Sequence, residues 1–98
     1  MSVLNSTVRI LEIKGKLYCG NVTETQQQIE YALEIFNNVI INLNSISSMD
    51  MSGIFMLYLL IIKAKEKKKK IVFHGLDNQV VKTAMSVAGV RRIFVGVA

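Results

Sequence analysis

The hydrophobic and polar positions along the chain repeat with two different periods. The segment VRILEI at Val8–Ile13 alternates apolar and polar residues, which predicts a half-buried strand. Two short apolar runs at Val39–Leu43 and Ile71–Phe73 are rich in β-branched residues and predict strands covered on both faces. A fourth strand is predicted at Arg92–Val97, which reads RIFVGV.

Helical spacing of apolar residues predicts a first and a third helix between these strands. Thr23 with Gln26 three positions later forms a capping-box pattern for the start of the first helix. Asp77 is the predicted N-cap of the third helix, and Gly89 is placed to end it in the left-handed conformation. The apolar stripe of this third helix is expected to face the core and comprises Val80, Val81, Ala84, Val87 and Ala88.

A second helix is predicted to begin near Ser52-Gly53 and to run to about Lys67. Its first half is apolar almost all round. The residues expected to face the sheet are Ile54, Leu57, Tyr58, Ile61 and Ile62. The residues expected to point away are Phe55, Met56, Leu59 and Leu60. Two interpretations remain open: an exposed apolar patch for a partner, or a broad buried face that neighbouring helices cover.

The predicted order of elements is β-α-β-α-β-α-β, with loops at GKLYCGN and at Asn44–Asp50. Such alternation predicts an α/β fold in which helices cover a sheet. A chain of 98 residues supports one hydrophobic core, so residues 1–98 are expected to form one domain. A content of 51% hydrophobic residues excludes a disordered chain.

The net charge of +5 belongs to one short segment. Lys63–Lys70 holds six lysines and one glutamate, whereas the rest of the chain has six basic and six acidic residues. Nucleic-acid binding would favour cations spread along a groove with aromatic residues between them, so no nucleic-acid partner is expected. Within this segment, the run Lys65–Lys70 is typical of a solvated helix end, and attraction to an acidic partner or an anionic membrane is a lesser alternative.

Composition also bears on compartment and chemistry. The longest apolar run, Ile54–Ile62, is far shorter than the roughly 20 residues that cross a bilayer, so no stable membrane insertion is expected. Cys19 is the only cysteine, which favours a reducing, cytoplasmic location.

The sequence offers little support for catalysis or metal binding. Cys19 lacks an assigned histidine base, and His74 lacks a second ligand at metal spacing. Asp50 has no neighbouring carboxylate in sequence. The chain is therefore predicted to be no enzyme and to hold no metal and no cofactor.

From Val39 to Phe94 the chain resembles the STAS domain family, and within it the bacterial anti-sigma factor antagonists. The elements that carry the resemblance are the strand VIINL, the segment SSMDMSGI that opens an apolar helix, and the late segment AGVRRIF. The resemblance implies a four- or five-stranded mixed sheet with helices packed mainly on one face.

The resemblance also implies a mechanism. In the antagonists, a kinase-type anti-sigma factor binds an Asp-Ser-Ser-Gly loop and phosphorylates the serine directly after the aspartate. Here Asp50, Ser52 and Gly53 match the motif, but Met51 occupies the phosphorylatable position. A thioether cannot accept phosphate. Ser52 is an alternative acceptor, although a serine here is more typical of a helix N-cap.

The leading hypothesis is a non-catalytic regulatory protein that binds an anti-sigma factor or serine kinase, itself a monomer or weak homodimer. The predicted partner-binding residues are Asp50, Met51, Ser52, Gly53, Ile54, Phe55 and Met56. With Met56 outward, the substitution Met56→Glu is expected to spare folding and to abolish partner capture. The alternative is an accessory STAS subunit of a membrane transport ATPase of the lipid-transport type.

Overall fold

The computed structural model of the chain describes residues 8–96. Five strands and four helices follow one another in this part of the chain. In order, they are β1 Val8–Glu12, β2 Gly15–Leu17, α1 Val22–Ile35, β3 Asn38–Asn42, β4 Ile46–Met49, α2 Met51–Glu66, β5 Lys70–His74, α3 Gln79–Ala88 and α4 Arg91–Val95.

A parallel sheet forms the centre of the fold. Its three strands lie in the order β1-β3-β5, and its register aligns Ile10 with Ile40 and Ile40 with Val72. Strands β2 and β4 follow β1 and β3 after short breaks and pair with each other, also in parallel. The α/β fold class is thus confirmed. A mixed sheet was expected, however, and every strand pairing among residues 8–96 is parallel.

Burial alternates along the central strand because its two faces meet different surroundings. Val39 and Ile41 of β3 are fully buried, whereas Ile40 between them is half-buried. The same alternation places Ile71 and Phe73 of β5 in the core. Those side chains cluster with buried residues of α1, α2 and α3, so one face of the sheet carries most of the helix packing, as the resemblance implied.

Both predicted loops contain a short strand. Three residues of GKLYCGN form β2 and four residues of Asn44–Asp50 form β4. Each strand has a buried apolar side chain, Leu17 in β2 and Ile46 in β4, beside exposed polar ones. Strands this short carry too few alternating positions to stand out from a polar loop.

The predicted strand at Arg92–Val97 is wrong. Residues Arg91–Val95 form the short helix α4, and Val97 lies outside the described residues. Phe94 explains the helix, because its ring packs edge-to-face on Phe73 with a centroid distance of 5.2 Å. Its apolar neighbours Ile93 and Val95 are left exposed.

Asparagine, not the predicted residue, occupies the N-cap position of two helices. Asn21 precedes α1 without a side-chain cap hydrogen bond, and the capping box of Thr23 with Gln26 does not form, because Gln26 donates to Glu30 instead. Asn78, not Asp77, caps α3: its Oδ1 accepts from the N–H of Val80 at 2.9 Å. The Nδ2 of Asn78 also donates to the carbonyls of residues 43, 44 and 46, and a carboxylate could not donate. The predicted left-handed Gly89 is confirmed, with φ 75°.

Helix α2 is buried on a broad face. It packs against α1, α3 and β5. Its buried residues are Gly53, Ile54, Met56, Leu57, Leu60, Ile61 and Ala64. Phe55 does point outward, with 60% of its surface exposed, but Met56 and Leu60 are 3% and 0% exposed. The expectation that Met56 and Leu60 point outward is therefore wrong, since neighbouring helices cover the side of α2 that faces away from the sheet.

Replacing Met56 by glutamate should unfold much of the population. The carboxylate would lie among apolar side chains without a partner, and we expect a loss of about 3 kcal/mol or more in the free energy of unfolding. The adjacent Phe55→Glu should change stability by only about 0.5 kcal/mol, since Phe55 is exposed. Urea unfolding of both variants measures the difference, and equal stabilities would contradict the burial of Met56.

Candidate functional site

Asp50 fastens the start of α2 to the loop that follows β2. Its Oδ1 accepts a hydrogen bond from the N–H of Gly53 at 3.1 Å, and its Oδ2 accepts one from the N–H of Cys19 at 3.2 Å. Its own N–H donates to the carbonyl of Leu17 at 3.2 Å. One residue thereby holds together two chain segments that are far apart in sequence.

The N-cap of α2 is Asp50, so the interpretation of Ser52 as the cap is wrong. Asp50 has the extended backbone conformation typical of a cap, with φ −110° and ψ −179°. The helix begins at Met51, and Ser52 is already its second residue. The N–H of Gly53 in the first turn is shared between the carboxylate and the backbone carbonyl of Asp50, each at 3.1 Å.

Gly53 allows the first turn of α2 to lie directly against β2. A Cβ atom added at this glycine would come within 2.8 Å of the Leu17 Cγ and 3.0 Å of the Leu17 carbonyl oxygen. Leu17 is itself fully buried. A side chain at position 53 would push the helix away from β2, so close packing explains the glycine of the motif.

Two large apolar side chains of the first helical turns face outward. Met51 is 62% exposed and Phe55 is 60% exposed. Positions four apart lie on the same face of a helix, so these two side chains can form one surface. Here the residues Asp50, Met51 and Phe55 are called the loop surface. It presents one carboxylate beside two apolar side chains.

A groove of about 610 Å³ runs from the loop surface to α3. Its apolar lining includes Met51, Ile54, Val80, Ala84 and Val87. Its polar lining includes Ser47, Ser48, Asp50, Gln79 and Thr83.

Sequence reasoning missed the contribution of α3 to this groove. Val87 was expected in the core, but it is 85% exposed, and only Val81 and Met85 of α3 are fully buried. The signal was present in the apolar stripe of α3, which is wider than this ten-residue helix needs to bury.

The structure separates the seven predicted binding residues into accessible and buried ones. The side chains of Asp50, Met51 and Phe55 are exposed, and Ser52 is half-buried. Gly53 is buried, and the remaining two, Ile54 and Met56, are 3% exposed each. Contact with a partner through these residues stays a prediction, and the buried ones can act only by supporting the loop surface.

The described residues contain no group of three His, Cys, Asp or Glu side chains that could hold a metal ion. Cys19 and His74 are both exposed. No helix within residues 8–96 combines the length and the apolar character needed to cross a membrane.

Comparison with known proteins identifies the fold. The family model of the STAS domain matches residues 2–97. The STAS domain of the SulP transporter from Vibrio cholerae has a TM-score of 0.66 and 18% identity, covering 95% of this chain and 72% of its own. A sulfate transporter family protein from Wolinella succinogenes has a TM-score of 0.72 and 17% identity, covering 95% and 75%.

A third solved structure is the anti-sigma factor antagonist SpoIIAA in its unphosphorylated form. Its TM-score is 0.60 at 16% identity, and the match covers 74% of this chain and 67% of that chain. At these identities the three structures share the fold with this chain. No curated protein matches the sequence.

Removing the carboxylate of Asp50 should weaken the fold measurably. We expect Asp50→Ala to lower the free energy of unfolding by about 1–2 kcal/mol, because the cap of α2 is lost. Asp50→Asn should lose less than Asp50→Ala, since an asparagine oxygen can still cap the helix, but its amide nitrogen cannot accept from the second N–H. Asp77→Ala is a matched control: Asp77 is 95% exposed and its ion pair with Arg91 lies at the surface. Thermal unfolding compares the three variants, and equal effects at positions 50 and 77 would contradict the fastening role.

Proposed function

The chain belongs to the STAS domain family, and we propose that it is a non-catalytic regulatory protein that binds a protein partner through the loop surface. The partner class is an anti-sigma factor or a related serine kinase. Support comes from the match of Asp50, Ser52 and Gly53 to the motif that these partners bind in the antagonists.

One observation carries the proposal: Met51 occupies the position of the phosphorylated serine and is 62% exposed. Asp50 and Gly53 hold the first turn of α2 in place and so fix the backbone at position 51. A methionine there adds adaptable apolar surface instead of an acceptor for phosphate. Binding through this residue is therefore constitutive or controlled elsewhere.

The shape of the surface fits a partner with an apolar projection. The loop surface continues into the groove toward Val80 and Val87, so a partner side chain can enter between α2 and α3. The carboxylate of Asp50 lies at the rim and uses both oxygens within the fold. Apolar burial by Met51 and Phe55 would supply most of the affinity, and Asp50 would keep the surface in one conformation.

A second candidate function is an accessory STAS subunit of a membrane transport ATPase of the lipid-transport type. Met51 is the observation that favours it, because such a subunit needs no phosphorylatable serine at this position. The same loop surface would then contact a transporter subunit instead of a kinase. Both candidates require exposed Met51 and Phe55, so they differ in the partner and not in the surface.

A photo-crosslinking experiment identifies the protein that contacts the loop surface. A photo-crosslinking amino acid is placed at position 55, and a control protein carries it at Tyr31, which is 66% exposed on α1. Irradiation in lysate of the source cells should give a product specific to position 55, which mass spectrometry identifies. A kinase-type protein supports the leading proposal, and a transport subunit supports the second candidate. Equal products at both positions would contradict the loop surface as a binding site.

The purified pair then tests the contact. Phe55→Glu should weaken the complex about 30-fold or more, as expected for a central aromatic contact, whereas Tyr31→Glu should leave it unchanged. Incubated with ATP and the partner kinase, the wild-type chain should take up no phosphate, and Met51→Ser should become phosphorylated. Phosphate on Ser52 of the wild-type chain would contradict the proposed absence of a phosphorylation switch.

A further inference from the structure

A second groove lies between the C-terminal half of α2 and α4, with a volume of about 510 Å³. Its floor is apolar and includes the buried residues Ile61 and Ile71. Ile62 and Ile93 also line it and are 38% and 42% exposed. Here the groove is called the cationic groove, because the polar side chains around it include Lys65, Lys69, Lys70 and Arg92.

The lysines of the basic segment divide between two sides of α2. Lys63 and Lys67 face α1, where Lys63 Nζ lies 3.0 Å from Glu30 Oε2 and Lys67 Nζ lies 3.9 Å from Glu34 Oε1. A hydrogen bond from Gln26 and another from Lys63 hold the pKa of Glu30 below its ordinary value. These two lysines are thus matched by carboxylates.

Among residues 8–96, no carboxylate lines the cationic groove on the other side. Lys69 donates to the carbonyl of Phe36 at 3.3 Å and thereby joins the segment after α2 to the end of α1. Within residues 8–96, the side chains of Lys65, Lys70 and Arg92 form no ion pair. Three cations without an ion pair in the described part of the chain therefore lie around an apolar floor.

The C-terminus of α2 explains only some of the cations around the cationic groove. Lysines near a helix C-terminus interact favourably with the helix dipole. Two features close the last turn of α2. Lys68 has a left-handed backbone with φ 57°, and the N–H of Lys69 donates to the carbonyl of Ala64 at 2.8 Å. Neither role at the end of α2 involves Arg92, which belongs to the last turn of α4, and neither explains the exposed Ile93 beside it.

We propose that the cationic groove is a contact site for anionic phospholipid at a membrane surface. The phosphates would meet Lys65, Lys70 and Arg92, and the upper hydrocarbon would meet Ile62 and Ile93. Cations beside exposed apolar side chains are the composition of surfaces that lie in a membrane interface. A nucleic acid would satisfy the cations but would leave both isoleucines without an apolar partner.

The groove is separate from the loop surface. The two lie at opposite ends of α2, a helix of 16 residues and therefore about 24 Å long. A protein partner at Met51 and a membrane at Lys65 can thus be bound at the same time. The inference goes beyond the proposed function, and a failure of either leaves the other standing.

The test is co-sedimentation of the full chain with vesicles. The wild-type chain should bind vesicles of equal parts phosphatidylglycerol and phosphatidylcholine, bind pure phosphatidylcholine far less, and lose binding as salt rises. Removing two groove cations in Lys65→Gln with Arg92→Gln should weaken binding about 30-fold. The control pair Lys14→Gln with Lys82→Gln changes the net charge equally at exposed positions outside the groove and should bind nearly as wild type.

A second pair of variants tests the apolar part of the contact. Ile93→Ser should weaken vesicle binding about fivefold, while Ile35→Ser, at an exposed isoleucine on α1, should not. Equal losses in the groove pair and the control pair would overturn the proposal in favour of non-specific charge. Absence of vesicle binding would also overturn it. So would binding of a DNA duplex or polyglutamate as tight as that of the vesicles and unaffected by Ile93→Ser.

Discussion

The structure around the candidate site depends on the two hydrogen bonds that the carboxylate of Asp50 accepts. One oxygen binds the N–H of Gly53 in the first turn of α2, and the other binds the N–H of Cys19 beyond β2. Because Gly53 has no side chain, that turn can lie against the buried Leu17. The exposure of Met51 follows from this arrangement, since the helix cannot rotate without breaking either the cap or the packing.

The parallel sheet explains why the site is at this edge. Strands β2 and β4 extend the β1–β3 pair, and their carboxyl ends lead into the Cys19 loop and into α2. Carboxyl ends of parallel strands meet at one edge of a sheet, and ligand sites of α/β proteins often lie there. The other end of α2 has a different character, with cations and exposed isoleucines beside α4. Helix α2 therefore has an apolar surface beside the Asp50 carboxylate at its start and a basic surface at its end.

Sequence reasoning succeeded where burial leaves a periodic pattern. Strands β3 and β5 were predicted because their runs are short, apolar and β-branched, and α1 because its apolar positions repeat at helical spacing. The SSMDMSGI segment indicated where the candidate site lies. Its aspartate, Asp50, is the residue whose hydrogen bonds hold that site together. Helix α2 gave no such pattern, since it is apolar all round and only tertiary packing decides that Met56 is buried and Phe55 is not. The choice of Asn78 over Asp77 likewise depends on three carbonyls that only the folded chain brings together.

The central claim is that Asp50 holds the loop surface in one conformation, and amide hydrogen exchange measured by NMR tests it most directly. The account predicts that the amides of Gly53 and Cys19 exchange slowly in the wild-type chain. In Asp50→Ala both should exchange faster, roughly tenfold for a loss near 1.4 kcal/mol in the free energy of local opening. Amides of the central strand β3 should accelerate only as far as the loss of global stability requires. Unchanged exchange at both amides in the variant would contradict the account.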